Sequence, residues 1–223
     1  MHCFVTKLCN KMTFMTNKNI KNLLFDLGGV IMDIRRENCV RAFEELGMTT
    51  ANELLGEYSQ KGAFLLLEEG TISPEEFRQE IRKHISTQVS DEVIDSAFCK
   101  FLLGIPPYRL DQLEALRKEY KIYLLSNTNP IMIHSDIKKY FQVHGKEMKD
   151  YFDGMILSYE AKSIKPDAGI FEYTIKTLGI NPEETIFFDD SQKNLDAAAK
   201  FGFGTALVAP GSEFNDIIKD LLG

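Results

Sequence analysis

The sequence predicts an α/β protein with a doubly wound parallel sheet and an inserted helical segment. Three observations support this fold class: five short apolar runs typical of buried strands, helical patterns between the later runs, and a long helical stretch after the first run. The chain has 223 residues, which is long enough for one main domain that carries a smaller one.

The five predicted strands are short and continuously apolar. They comprise residues 23–25, 122–125, 155–157, 186–188 and 205–208. None alternates polar with apolar residues, as a strand with one face in water would, so each fits a strand covered on both faces. Helical patterns at 110–120, 168–178 and 194–201 separate the later strands. Strand and helix in alternation predict βαβ units, a parallel sheet and right-handed crossovers.

The interval between the first and second predicted strands is helical. Residues 35–105 hold about three helical patterns and no convincing strand. Ser73, Pro74 and Glu76 carry the signature of a helix start, with a side-chain cap, a proline at the first helical position and a capping-box glutamate. We expect a small helical domain here, because this much helix exceeds a simple crossover.

The predicted domain division follows from these patterns. An α/β core comprises residues 20–34 and 106–223, and the helical domain comprises residues 35–105. Residues 1–19 are polar and lack the continuous apolar region of a signal peptide, so we expect a disordered leader.

The composition excludes several classes of partner. The net charge is −7, whereas a general nucleic-acid binder needs an excess of Lys and Arg. No apolar run approaches the roughly 18 residues that span a bilayer, so we expect no membrane insertion. Four cysteines are too few for a disulfide scaffold and favour a reduced, cytoplasmic protein. The oligomeric state stays open between a monomer and a homodimer.

Polar residues directly follow three of the predicted strands. Asp26 follows the first strand, Ser126 and Asn127 follow the second, and Asp189 and Asp190 follow the fourth. In an open parallel sheet, the carboxyl ends of the strands line the crevice in which ligands bind. The proline at 166 disfavours a helical conformation at the lysine before it, so that lysine belongs to a loop, which we expect to overhang the same edge. The sequence therefore predicts one polar site at this edge.

These residue types together suit a phosphate and a divalent cation. Asp26 and Asp190 can converge on Mg²⁺, which favours one or two carboxylates with water and a substrate phosphate, while Asp189 would act as an outer or water-mediated partner. Ser126 offers a hydroxyl and nearby backbone N–H groups to phosphate oxygens, and Lys165 neutralises the remaining charge. An aspartate held in line with phosphorus can attack it and form an aspartyl-phosphate.

The motif set resembles that of the haloacid dehalogenase-like (HAD) hydrolase superfamily. Four segments carry the resemblance: Asp26-Leu27-Gly28-Gly29-Val30, Ser126-Asn127-Thr128, Lys165-Pro166 and Asp189-Asp190-Ser191. The resemblance covers residues 22–208 and implies a Rossmann-like three-layer α/β core, with residues 35–105 as a C1-type helical cap. In detail, Phe-Asp-Leu-Gly, Ser-Asn-Thr-Asn and Phe-Phe-Asp-Asp look most like the branch of bacterial α-D-glucose-1-phosphate phosphatases.

The resemblance also implies a role for each motif residue. Asp26 would be the nucleophile and a ligand of Mg²⁺, together with the backbone carbonyl of Gly28 and the carboxylate of Asp190. Ser126 and Lys165 would hold the transferred phosphoryl group and are the further catalytic residues. The expected phosphate-binding residues are Ser126, Asn127 and Lys165.

One position departs from the pattern of this superfamily. Its phosphatases usually carry a second aspartate two residues after the nucleophile, which protonates the leaving group and then activates water, whereas this chain has Gly28. Loss of a positioned acid or base typically costs about 10²–10⁴-fold in rate. Either the leaving group needs less help, or the substrate or the cap supplies the proton, or the protein is slow and works as a ligand-binding module. Asp33, the nearest spare carboxylate, better fits a helix start or the surface.

The leading hypothesis is a Mg²⁺-dependent phosphatase that acts on a small phosphomonoester such as a sugar phosphate. A 2-haloacid dehalogenase is an alternative on the same fold, with Asp26 attacking carbon, but two further carboxylates disfavour a site without a cation. A phosphorylated receiver domain uses similar residues in another order and lacks room for the insert. A catalytically weak metal- or phosphate-binding protein is the alternative from a different class.

Overall fold

A computed structural model describes residues 19–56, 60–143 and 145–223. In chain order the strands in these ranges are β1 (Asn22–Phe25), β2 (Asp33–Ile34), β3 (Leu102–Gly104), β4 (Lys121–Ser126), β5 (Gly154–Leu157), β6 (Thr185–Asp189) and β7 (Gly204–Leu207). The leader predicted for residues 1–19 lies outside these ranges, apart from Asn19.

Helices account for most of the remaining described elements. They are α1 (Arg36–Glu45), α2 (Ala51–Leu54), α3 (Gly62–Glu68), α4 (Pro74–Arg82), α5 (Asp91–Cys99), α6 (Pro107–Leu116), α7 (Pro130–Met132), α8 (Lys138–Tyr140), α9 (Ser158–Ala161), α10 (Ala168–Leu178), α11 (Gln192–Ala199) and α12 (Phe214–Leu222). A π-helical turn joins α7 to α8, and two short 3₁₀ turns precede β5 and β6. No helix in the described part of the chain is long and apolar enough to cross a membrane.

The central sheet is parallel and has the strand order β5-β4-β1-β6-β7. All five predicted strands are confirmed to within one residue at each end. β1 lies between β4 and β6, so the chain leaves the sheet in opposite directions on either side of it. This is the topological switch point of a doubly wound sheet, where ligands bind beyond the carboxyl ends of the strands. The register places Phe25 beside Leu124 and Phe188, and Asp26 therefore emerges between the ends of β4 and β6.

The sheet is buried on both faces, as the continuous apolar runs predict. Leu24 points into one apolar cluster, which α10 and α11 cover with residues such as Phe171 and Leu195. Leu23 and Phe25 point into the other, which α6 and α12 help to cover. The ring of Phe25 stacks on that of Phe188 at 4.9 Å and meets Phe214 edge-on at 5.2 Å. These contacts fix the end of β1, which carries the first polar motif.

Five helices, α1 to α5, are described between β2 and β3. Phe64 is central to their packing, since its ring contacts those of Phe43, Phe77 and Phe98 at centroid distances of 5.1–5.3 Å. The predicted helix start is confirmed, because the Glu76 N–H donates to Ser73 Oγ and the Ser73 N–H donates to the Glu76 carboxylate. The helices of the insert thus pack around aromatic rings that are continuous with the apolar cluster of Leu23 and Phe25. The division of the chain into a core and a cap domain stays a prediction.

The expectation that residues 35–105 contain no strand is wrong. β3 lies within that range and pairs with β2 in an antiparallel ribbon, in which Asp33 is opposite Gly104. Each strand has only two or three residues, and β3 directly continues an apolar helical pattern, so periodicity alone does not separate it from a helix. The ribbon stands where the chain enters and leaves the insert, and it crosses the predicted boundary at residue 35.

Candidate active site

Asp26 occupies the first position beyond β1. Its N–H donates to the Phe188 carbonyl oxygen at 2.9 Å, and its Oδ1 accepts from the Leu27 N–H at 2.7 Å. Only 9 % of the residue is exposed. The backbone of β6 and the following turn therefore hold the carboxylate in one place at the edge of the sheet.

Asp26, Asp189 and Asp190 form a compact acidic cluster. One carboxylate oxygen from each lies within 4.8 Å of the others. Two ligands on opposite sides of one Mg²⁺ are about 4.2 Å apart, because each lies about 2.1 Å from the ion. Small side-chain rotations would therefore bring Asp26 and Asp190 onto one ion, so the donor set fits a hard divalent cation.

Lys165 lies between two of these carboxylates. Its Nζ is 2.9 Å from Asp26 Oδ1 and 2.8 Å from Asp189 Oδ2, and it donates to the Leu125 carbonyl oxygen at 3.1 Å. The residue is buried, and although burial lowers the pKa of Lys165, the charges of Asp189 and Asp26 raise it above its usual value. The two carboxylates thus stabilise the charged form of this lysine inside the site.

The Asp189 carboxylate accepts hydrogen bonds from several groups of the protein. Besides Lys165, its carboxylate accepts from the Ser191 N–H at 2.8 Å and from the Asn194 amide at 3.0 and 3.2 Å. Its oxygens are thus less available to a cation than those of Asp26 and Asp190. This arrangement supports the outer role predicted for Asp189, and it adds Asn194, which the sequence analysis did not identify.

The environment of the Asp26 and Asp190 carboxylates disfavours their charged forms. Burial raises the pKa of Asp26 to about 7, with Asp189 and Asp190 adding to the rise and Lys165 opposing it. Burial also raises the pKa of Asp190 to about 6, and Asp189 adds to this rise. Such shifts mean that the protein alone disfavours the charged forms, which a bound cation would stabilise.

The end of β4 and the residue after it also contribute to the site. Ser126 is buried and lines the same cavity as Asp26. The Asn127 side chain binds the backbone of Lys165 twice, since its Nδ2 donates to the Lys165 carbonyl at 2.9 Å and its Oδ1 accepts from the Lys165 N–H at 2.8 Å. Asn127 therefore positions Lys165, while its predicted contact with phosphate stays a prediction.

Gly28 and Gly29 set the shape of the site beside Asp26. A Cβ at Gly28 would lie 3.3 Å from the Ile34 Cδ1 atom, so the position has limited room for a side chain. Gly29 has φ +74°, and a Cβ there would lie 2.4 Å from Asp190 Oδ2. Asp33 does not line the cavity, and its carboxylate accepts from Arg109 at 2.8 Å. The surface role expected for Asp33 therefore agrees with its geometry.

Two polar residues from the insert line the same cavity as Asp26, beside the apolar Phe98, Phe101 and Leu102. Glu68 ends α3, and Gln60 precedes it. The Gln60 Oε1 is buried and has no hydrogen-bond partner among the described residues. Sequence reasoning missed both, because neither belongs to a motif and their orientation depends on how the insert docks on the core. A glutamate that ends an otherwise apolar helical segment was the one available signal.

Comparison with known proteins identifies the class that this fold and site define. A family model described as haloacid dehalogenase-like hydrolase matches residues 20–202. The chain belongs to this family of hydrolases. The superfamily and the fold class predicted from the motifs are both confirmed.

Several relatives resemble the chain over nearly its whole length. D-ribitol-5-phosphate phosphatase of Bacteroides thetaiotaomicron is 37 % identical over 203 residues, which are 91 % of this chain and 98 % of that protein. A HAD-family enzyme of the same organism, solved in complex with magnesium and inorganic phosphate, has a TM-score of 0.83 and 41 % identity, covering 89 % of this chain and 98 % of its own. A HAD-like hydrolase of Porphyromonas gingivalis has a TM-score of 0.85 and 35 % identity, covering 92 % and 98 %. The narrower resemblance to glucose-1-phosphate phosphatases stays a prediction.

Proposed function

We propose that this protein is a Mg²⁺-dependent phosphatase that hydrolyses a small phosphomonoester through an aspartyl-phosphate on Asp26. One observation carries the proposal: Asp26, Asp189 and Asp190 converge at the edge of the sheet, with the Lys165 ammonium between Asp26 and Asp189. Negative charge is concentrated where a cation fits, and a fixed positive charge lies beside the nucleophile. That combination suits a phosphate better than an uncharged substrate.

The substrate we propose is a phosphorylated sugar or polyol. The relative that is 37 % identical bears the name of a D-ribitol-5-phosphate phosphatase, and a structural relative holds magnesium and phosphate. The Oε1 atom of Gln60 is buried in the cavity and accepts no hydrogen bond from the described residues. Such an acceptor suits a substrate that carries several hydroxyl groups.

The residues of the chain divide the chemistry between them. The Asp26 carboxylate attacks phosphorus, while the Lys165 ammonium and the Ser126 hydroxyl hold the oxygens of the transferred phosphoryl group. Asp26, Asp190 and the Gly28 carbonyl would hold Mg²⁺, which supplies positive charge to the phosphate when bound. Asp189 keeps Lys165 in place through the 2.8 Å ion pair.

The experiment compares the wild type with Asp26→Asn, which keeps the size of the side chain and removes its nucleophilic charge. Phosphate release is measured with p-nitrophenyl phosphate, D-ribitol 5-phosphate and α-D-glucose 1-phosphate, each with Mg²⁺ or with EDTA. Asp196→Asn is the matched control, since Asp196 is exposed on α11. We expect wild-type turnover that needs Mg²⁺, no turnover by Asp26→Asn, and an unchanged control.

Two other results would replace the proposal with an alternative. Metal-independent halide release from a 2-haloacid would make the protein a dehalogenase, in which Asp26 attacks carbon. Binding of Mg²⁺ and inorganic phosphate without turnover of any ester would make it a binding protein. We also propose a cytoplasmic location and a monomeric or homodimeric state. The activity assays described above do not depend on either property.

A further inference from the structure

Glu68 brings a third carboxyl group into the cavity of Asp26. It lies at the end of α3 in the insert, and it lines the cavity together with Asp26, Gly28 and Lys165. Among the described residues, the carboxyl groups that line this cavity are those of Asp26, Glu68 and Asp190. The first is the proposed nucleophile and the last a proposed metal ligand, so Glu68 has no role in the chemistry described so far.

The backbone of Glu68 is fixed to the core of the protein. Its carbonyl oxygen is 2.7 Å from Ser158 Oγ, which accepts from the Thr128 N–H at 3.0 Å. Two residues further on, the Lys162 ammonium donates to the Gly70 carbonyl oxygen. Both contacts join the end of α3 to the region of α9, and the contact of Ser158 also reaches Thr128 in the segment after β4. The backbone of Glu68 is therefore linked to the segment that directly follows Ser126, the last residue of β4.

The surroundings of the Glu68 carboxyl favour its protonated form. Burial raises its pKa to about 8, the charges of Asp26 and Glu69 raise it further, and Lys165 lowers it. No side chain of the described residues donates a hydrogen bond to this carboxyl or forms an ion pair with it. The carboxyl is therefore free of side-chain partners within the described residues and can exchange a proton with a molecule bound in the cavity.

Among the described residues on the core side of the cavity, the carboxyl groups are those of Asp26 and Asp190, which already have proposed roles as nucleophile and metal ligand. Gly28, two residues after the proposed nucleophile, has no side chain, and Asp33 is turned toward Arg109 instead of the cavity. The leaving group of an alkyl phosphate is a strongly basic alkoxide. It departs much faster when an acid protonates its oxygen. A phosphatase that acts on alkyl phosphates in this cavity would therefore be much faster with such an acid.

We propose that Glu68 is this acid and base, supplied by the insert in place of a side chain at Gly28. The inference rests on the proposed function. In the first step, an Asp26 oxygen bonds to phosphorus, the bond from phosphorus to the leaving oxygen breaks, and the Glu68 proton moves to that oxygen. In the second step, the Glu68 carboxylate takes a proton from water as the water oxygen bonds to phosphorus. The bond between phosphorus and Asp26 breaks, and inorganic phosphate and free Asp26 are restored.

The experiment compares Glu68→Gln with Glu69→Gln, the same change at the neighbouring residue, which does not line the cavity. Two substrates are used: the alkyl phosphate of the panel that the wild type hydrolyses fastest, and p-nitrophenyl phosphate, whose leaving group needs no protonation. We expect Glu68→Gln to lose about 10²–10⁴-fold in kcat/KM on the alkyl phosphate. On p-nitrophenyl phosphate it should release one equivalent of p-nitrophenol rapidly and then turn over slowly, because the second step lacks its base.

Other outcomes separate the failure of this inference from the failure of the proposed function. A wild type without activity on any ester would overturn both. An active wild type, with Glu68→Gln within threefold of it on the alkyl phosphate, would overturn the role of Glu68 alone. Equal losses on both substrates without a burst would indicate a structural role and would also overturn it. If Glu68→Gln does not fold in a thermal melt, Glu68→Ala, which keeps the anchored backbone, takes its place.

Discussion

Replacing Gly29 with alanine tests how closely the turn after β1 must approach Asp190. The residue has φ +74°, where an L-residue is strained by about 1–2 kcal/mol. The added Cβ would lie 2.4 Å from Asp190 Oδ2 and 2.8 Å from its Cγ. Alanine at this position therefore introduces backbone strain and a collision with a proposed metal ligand.

The size of the effect follows from the geometry of the collision. Ordinary contact begins near 3.4 Å, so the Asp190 carboxylate has to retreat by about 1 Å. Mg²⁺ requires its ligands at about 2.0–2.1 Å in near-octahedral geometry, and a displacement of that size removes Asp190 from its coordination. We expect the Kd for Mg²⁺ to rise about 10–100-fold, which corresponds to about 1.4–2.8 kcal/mol.

Gly179→Ala is the matched control for the backbone strain. Gly179 has φ +63°, and a Cβ there would meet nothing within 4 Å. Urea denaturation without metal should show a loss of about 1–2 kcal/mol for both variants. Calorimetric titration with Mg²⁺ should show weaker binding for Gly29→Ala alone. If Gly29→Ala binds Mg²⁺ as tightly as Gly179→Ala does, the proposed role of Asp190 as a ligand is wrong.

Three further predictions concern the same site. Lys165→Met leaves Asp26 and Asp189 buried without their cation, and the free energy of unfolding in urea should fall by about 3–5 kcal/mol. Acidification should weaken Mg²⁺ binding as the pH falls through about 7 and then about 6, because Asp26 and Asp190 take up protons there and lose the charge that binds the ion; calorimetry at pH 8 and pH 5.5 measures this. Ser158→Ala leaves a buried backbone N–H without an acceptor and frees the end of α3, so it should cost about 1–3 kcal/mol in thermal or urea unfolding.

Each of these predictions has a control and a contradicting result. Lys193→Met and Ser212→Ala are exposed counterparts that should leave stability within about 0.5 kcal/mol of the wild type. A Lys165→Met variant as stable as Lys193→Met would show that the buried charges do not depend on one another. Equal Mg²⁺ affinity at both pH values would exclude protonation of the ligands in that range. A Ser158→Ala variant that matches Ser212→Ala would remove the link between insert and core.

The strands and the motif residues could be predicted because their signals are local. A strand buried on both faces must be apolar at every position, and this distinguishes residues 23–25 and 186–188 without any knowledge of their neighbours. The polar residues that interrupt such runs then mark the edge of the sheet. Asp26 and Asp190 were assigned to one site on this reasoning, and their oxygens lie within 4.8 Å of each other.

The ribbon of β2 and β3 could not be predicted on the same basis. Its strands are two and three residues long, too short for a period of two to be recognised, and they pair across the whole length of the insert. The hydrogen bonds of the Asn127 side-chain amide could not be predicted either, because its partners are backbone atoms of Lys165, 38 residues away. Pairing between distant segments leaves no periodic trace in either segment.

The sequence by itself determined the fold class and the sheet edge, and it predicted the nucleophile, the lysine and the metal ligands that we propose. Each of these depends on residue type and on position relative to a strand, and a linear chain records both. Only the tertiary structure decided that Glu68 lies over the cavity of Asp26, since this depends on how the insert docks through Ser158. The physical reason is that docking and burial are properties of many residues together. Burial raises the pKa of Glu68 and of Asp26, and this burial cannot be predicted from the two residues alone.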